Sequence, residues 1–187
     1  MKVNHLLRLY EQGERNFSGV DLTGADLSQI TLISVNLTNA NLTAVNFSRA
    51  FLTKSNLTGS LLNRANLSFA KLSEINLNNA NLSKANLTGA FMVKSQLINA
   101  KLTTANLAYA NLRSACLKGA FLGSANLERV NLREANLTNA NLNWANLYKA
   151  TLTDTQLTGS SLYGVRNLDC TYIQQQEDYE FLSIGLT

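Results

Sequence analysis

The chain has 187 residues, 16 Lys and Arg against 12 Asp and Glu for a net charge of +4, one His, two Cys and no Pro. That length holds one domain, and no apolar run approaches the ~18 residues of a membrane-spanning helix. Two cysteines are too few for a disulfide framework, so Cys116 and Cys170 read as free thiols of a reducing compartment. Residues 1–16 also lack a signal peptide's apolar core, which gives a cytoplasmic expectation.

Residues 1–14 read as a helix that covers one end of a long repetitive region. Val3, Leu6, Leu7 and Tyr10 fall at the spacing of one helical face. Asn4 is placed to cap the helix and Gly13 to stop it, which predicts a helix over residues 4–12. His5, the single histidine, reads as a partly exposed residue of this helix and not as a catalytic base.

From residue 15 to 165 the chain keeps a period of five. With i as the large apolar position, counting by fives from Phe17 to Leu162 meets thirty positions, twenty-seven of them Leu and the others Phe17, Phe47 and Met92. Position i−2 is mostly Ala, with Val, Ile, Ser or Thr in its place. A fifth-residue spacing steps about 140° around an α-helix and alternates between the faces of a straight strand, so neither element buries it. The pattern closes if each pentapeptide is a short extended side followed by a corner, with i−2 and i both turned inward; the chain then coils into a solenoid.

The coil length shows in position i+2. Every fourth repeat reads Gly19, Asn39, Gly59, Asn79, Asn99, Gly119, Asn139, Gly159, while the other three columns hold only Gly24, Gly89 and Gly164 of these two residue types. Gly and Asn tolerate positive φ, so one corner in four is expected to be left-handed. The coil is then four-sided and twenty residues long.

The recurring units, such as Ala135-Asn136-Leu137-Thr138-Asn139, resemble the pentapeptide repeat family, A(D/N)LXX. The resemblance spans about residues 15 to 165. It implies an all-β solenoid, a right-handed four-sided parallel β-helix of about 7.5 coils. Some members of that family inhibit or protect DNA gyrase by imitating the size and negative charge of DNA, usually as dimers joined by a C-terminal helix.

Outside, the sides differ. The Leu37 side (Leu37, Leu57, Leu77, Leu97) is nearly uncharged, its i−1 column reading Asn16, Asn36, Asn56, Asn76, Gln96. The Leu32 side (Leu32, Leu52, Leu72, Met92) carries Thr31, Phe51, Lys71, Phe91 at i−1 and Ser34, Lys54, Glu74, Lys94 at i+2. Stacking predicts Lys71 between two phenylalanines and Glu74 between two lysines. Phe51, Lys54, Lys71, Phe91 and Lys94 form the candidate interaction surface, set against the simpler reading of local stabilisation by cation–π contacts and exposed ion pairs.

Beyond Tyr163 the register fails. Residues 166–187 read as a C-terminal cap or dimer tail with a short helix over 173–182, in which Tyr179, Phe181 and Leu182 are candidate dimer contacts. No motif supports catalysis, a metal or a cofactor. The expected role is non-enzymatic: a rigid rod presented to an unidentified macromolecule, most simply a protein, with a homodimer through the tail as an option and no membrane partner. A gyrase-directed DNA mimic is the alternative, against which net +4 argues. A weak, basic nucleic-acid binder is the second.

Overall fold

Each pentapeptide settles its own backbone, and the coil follows from where its amides point. In the repeat centred on Leu37, the Leu37 N–H donates to Asn56 O at 2.7 Å, the Asn39 N–H to Thr58 O at 2.9 Å and the Asn41 N–H back to Val20 O at 2.9 Å, all one coil away. The Ala40 N–H closes the corner on Leu37 O at 3.1 Å. The remaining Thr38 N–H goes to the side chain of Asn36, whose Oδ1 accepts it at 3.0 Å. All five donors are thus satisfied without a long strand, as buried backbone requires.

The computed structural model of the protein describes residues 1–168 and repeats the coil-to-coil bonds of this arrangement on all four sides. Outward residues pair in parallel with the residue twenty further on, from Asn16 with Asn36 to Asn146 with Arg166. The expected twenty-residue, four-sided coil is therefore present, with coils stacked at the ~4.8 Å spacing of parallel strands. Each side contributes one bridging residue, too little for a regular strand.

The corners correct the sequence expectation. Positive φ is not confined to one column in four: all thirty i+2 positions, from Gly19 to Gly164, lie between +53° and +68°. The reason is that the sides end in one kind of turn, whose third residue is left-handed and, as in Leu37–Ala40, whose first carbonyl accepts from the fourth residue, the type II pattern. At Leu32–Val35 the Ser55 hydroxyl bridges the two groups instead, accepting the Val35 N–H at 3.2 Å and donating to Leu32 O at 2.9 Å. A β-branched residue is poorly suited to that conformation, and Thr104 is the one such residue among the thirty.

What sets Gly59, Gly119 and Gly159 apart is room. A methyl group at any of them would collide with Oδ1 of the Asn one coil earlier, Asn39, Asn99 and Asn139 respectively. At Gly24, by contrast, a methyl group would meet nothing within 4 Å. Gly89 and Gly164 give the same room to Phe69 and Trp144.

Inside, the i column is buried throughout, from Phe17 at 4% exposure to Leu162 at 9%, and the i−2 alanines line the rest of the bore. Polar residues at i−2 turn back to the backbone: Ser55 Oγ donates to Leu32 O at 2.9 Å and Thr155 Oγ1 to Leu132 O at 2.8 Å. Ser95 Oγ has no partner among the described residues.

Helix α1, Val3–Glu11, packs its apolar face on the first coil, with Leu6 fully buried and Val3, Leu7, Leu9 and Tyr10 against the core. Gly13 ends it as expected, at φ +94° with its N–H on Tyr10 O at 3.0 Å. Asn4, however, lies inside the helix. Lys2 is the N-cap and makes no side-chain cap bond, while the terminal ammonium is held on Asp21 O at 2.7 Å. Tyr10 Oη accepts the Ile33 N–H at 3.1 Å, and Arg15 lies 3.9 Å over the Tyr10 ring, so the junction is pinned from both sides.

Candidate interaction surface

Position i−1 has a structural task. Its Asn or Asp oxygen takes the amide two residues on, as Asn66 does for Ser68 at 3.2 Å and Asn126 for Glu128 at 3.2 Å. The Asn amide nitrogen can also donate to the Asn or Asp of the coil before, as Asn46 does to Asp26 at 2.9 Å and Asn66 to Asn46 at 3.2 Å. At the N-terminal end the acceptors are acids. The Thr23 hydroxyl and amide hold the Asp21 carboxyl below its ordinary pKa, and the Ser28 amide and hydroxyl do so chiefly for Asp26.

The Leu32 side abandons this task over four consecutive coils, at Thr31, Phe51, Lys71 and Phe91. Phe51, Lys71 and Phe91 carry no oxygen for the amides of Thr53, Ser73 and Val93. Phe51 and Phe91 are instead 44% and 40% exposed, and Lys71 Nζ lies 5.3 Å from the Phe91 ring centroid. The parallel pairs Phe51 with Lys71 and Lys71 with Phe91 stack the three residues in the expected order, and the lysine's ring contact is the one with Phe91.

The site is wider than the sequence reading in one direction and narrower in the other. Residue i+2 of the Leu27 side stands beside residue i−1 of the Leu32 side across their shared corner, so successive coils present Gln29 with Thr31, Arg49 with Phe51, Phe69 with Lys71, Gly89 with Phe91, and Tyr109 with Asn111. Gln29, Arg49, Phe51, Phe69 and Lys71 surround one open depression of about 420 Å³. Phe69 rests against Gly89, where a methyl group would come within 2.6 Å of its Cε1, and stays 54% exposed. Tyr109 is also 54% exposed, with Arg129 5.5 Å from its ring centroid. Gln29, Arg49, Phe69 and Tyr109 went unnoticed in the sequence because they belong to another side's column; their two-residue spacing from Thr31, Phe51, Lys71 and Asn111 was the available signal.

Lys54 and Lys94 are not part of this depression. They occupy the i+2 column at the opposite edge of the Leu32 side, where Lys54 Nζ reaches Glu74 at 4.0 Å and no ion pair joins Glu74 to Lys94 among the described residues. Further along that edge Glu134 accepts from Ser114 Oγ at 2.7 Å and Arg113 at 3.0 Å, and these partners lower its pKa. An aromatic pair, Trp144 and Tyr163, meets edge to face at 5.1 Å near the last coil. Tyr179, Phe181 and Leu182 lie outside the described residues, as does the expected tail helix. Among the described residues no group of three or more His, Cys, Asp or Glu is placed to hold a metal, and no helix is long and apolar enough to cross a membrane.

The family described as Pentapeptide repeats matches the chain in eight copies over residues 16–59, 40–79, 60–97, 94–123 and 125–164. The chain belongs to the pentapeptide repeat family. Its members are right-handed quadrilateral β-helices, which gives the coil its hand. This pentapeptide repeat protein is similar to HetL of Nostoc sp. strain PCC 7120, a protein involved in heterocyst differentiation regulation, at 28% identity over 89% of this chain and 93% of that one, TM-score 0.39. It is similar to Rfr23 of Cyanothece 51142 at 27% identity over 87% and 96%, TM-score 0.36. QnrB1, a plasmid-mediated fluoroquinolone resistance protein, shares 15% identity over 81% and 84% with a TM-score of 0.52, a likeness of fold alone. Among curated protein sequences none matches this chain significantly.

Proposed function

We propose that this pentapeptide repeat protein is a non-enzymatic interaction protein whose rod holds the Leu27–Leu32 corner as a docking surface for a macromolecular partner. The observation that carries the reading is the run Thr31, Phe51, Lys71, Phe91, which gives up the asparagine–amide bond in consecutive coils and exposes aromatic rings in its place. Departures from a local structural rule gather at functional places, and exposed rings beside cations are the side chains that anchor partners. The rod suits the task because each coil is hydrogen-bonded to both neighbours, so the corner keeps its spacing without a partner. Burial of the apolar face of α1 on the first coil supports its role as cap of the N-terminal end. Residues 166–187 are proposed to cap the other end or join two copies through Tyr179, Phe181 and Leu182.

The test is affinity capture from native cell extract with the wild type and with a Phe51→Ala/Lys71→Ala/Phe91→Ala variant. The reading expects bound material that the variant loses and that a Thr58→Ala variant, altered on the Leu37 side, retains. Identical capture by all three would refute it. Mimicry of DNA, the alternative raised by the resemblance, needs rows of carboxylates. All 16 Lys and Arg fall within residues 1–168 but only eight of the 12 acids, the rest being Asp169, Glu177, Asp178 and Glu180. Inhibition of gyrase supercoiling is therefore not expected at micromolar protein and low salt, and potent inhibition there would restore the alternative.

A further inference from the structure

We infer that the occupant of this corner is a single-stranded polynucleotide, its bases stacked on Phe51 and Phe69 and its phosphates on Arg49 and Lys71; this rests on reading the corner as a docking surface. In two successive coils the cation and the ring exchange places, Arg49 beside Phe51 and then Phe69 beside Lys71, about the same depression. Each of these two rings therefore has a cation beside it in its own coil and another in the adjacent coil of the pair, one step of ~4.8 Å along the rod. Past the depression Phe91 and Tyr109 add two exposed rings, beside Gly89 and Asn111 in their own coils, and from Gln29 to Asn111 these two columns contain no acid.

A single strand presents this alternation in complement, a flat π-face and then a negative charge at every nucleotide. A duplex does not: its bases are already stacked and paired, so it can engage the cations but leaves the rings unused. An acidic polypeptide would answer Arg49 and Lys71 and offer nothing planar to four exposed rings. Phe69 is suited to stacking because Gly89 leaves room for its inner edge, which holds the ring in place while more than half of it stays exposed.

The experiment is fluorescence anisotropy with the full chain and a labelled oligothymidylate of about twenty nucleotides, alone and annealed to oligoadenylate, at about 50 and 200 mM salt. Thymines stack weakly on one another, so the free strand offers its bases. The single strand is expected to bind about tenfold more tightly than the duplex. Phe51→Ala/Phe69→Ala should lose that advantage and leave duplex binding unchanged, whereas Arg49→Ala/Lys71→Ala should weaken both and reduce the salt dependence. All four side chains point outward, and a thermal unfolding midpoint kept by each variant verifies that the coil is intact. Equal affinity for strand and duplex, or full strand binding by the aromatic variant, would overturn the inference. If neither nucleic acid binds but the corner variant still loses captured protein, the docking surface stands and its polynucleotide occupant is refuted. If capture is also unchanged, both readings fall.

Discussion

The Leu37 side and the Leu27–Leu32 corner are built on one backbone and separated by their outward residues. On the Leu37 side Asn36, Asn56 and Asn76 each take the amide two residues on, at 3.0, 3.1 and 3.0 Å. At the corner Phe51, Lys71 and Phe91 hold the equivalent position and make no such bond, although Leu52, Leu72 and Met92 behind them are as fully buried as Leu37 and Leu57. The contrast teaches that this fold separates stability from surface chemistry position by position. The bore and the inter-coil bonds are common property, so a side can change its outer residues at the cost of one local hydrogen bond per coil.

The largest effects should ignore the contrast. Leu57→Ala behind the Leu37 side and Leu72→Ala behind the corner should each destabilise by about 2–5 kcal/mol in denaturant unfolding, because both leave a cavity in the same bore. A gap of several kcal/mol between them would mean that the two regions differ inside as well. Next come the corner glycines. Gly59→Ala combines a left-handed alanine, about 1 kcal/mol, with a collision against Asn39 and should cost about 2–3 kcal/mol, whereas Gly24→Ala should cost only the first. Equal losses would refute the assignment of Gly59 to room for the asparagine. Smaller again, Asn56→Ala should cost about 1–2 kcal/mol by orphaning the Thr58 amide and hydroxyl, while Lys71→Ala should stay within about 0.5 kcal/mol. Equal midpoint shifts for that pair would mean that the asparagine bond has no net value.

Much of this architecture was legible in the sequence because its period is a packing requirement: a missing large residue at i would open a hole in the bore. Even so, the residues that mark the length of the coil do so for a reason other than a left-handed backbone, which all thirty corners share. The Gly and Asn of their column mark where Asn39, Asn99 and Asn139 stack on Gly59, Gly119 and Gly159, not the one left-handed corner of four. The left-handed requirement at all corners is written instead in the near absence of β-branched residues at i+2, a negative signal that a search for glycine passes over. At the amino end Asn4 resembled a cap, but the first coil itself orients the helix through Met1 and Tyr10, a tertiary contact that local propensity does not encode. The proposed docking corner was half legible. Reading one side at a time stacks Phe51, Lys71 and Phe91 as the parallel pairs do, but groups them with Lys54 and Lys94 at the far edge and leaves out Arg49 and Phe69 across the corner.

The central claim is that the corner has exchanged a backbone hydrogen bond for a binding surface, and restoring the asparagines tests it most directly. Phe51→Asn/Lys71→Asn/Phe91→Asn would supply acceptors to the amides of Thr53, Ser73 and Val93. The measurement is the denaturant midpoint of this variant beside its anisotropy titration with oligothymidylate. The account predicts a protein more stable by about 0.5–1.5 kcal/mol for each bond regained that has lost its preference for the single strand. A variant that is less stable than the wild type, or that binds the strand as well, would contradict it.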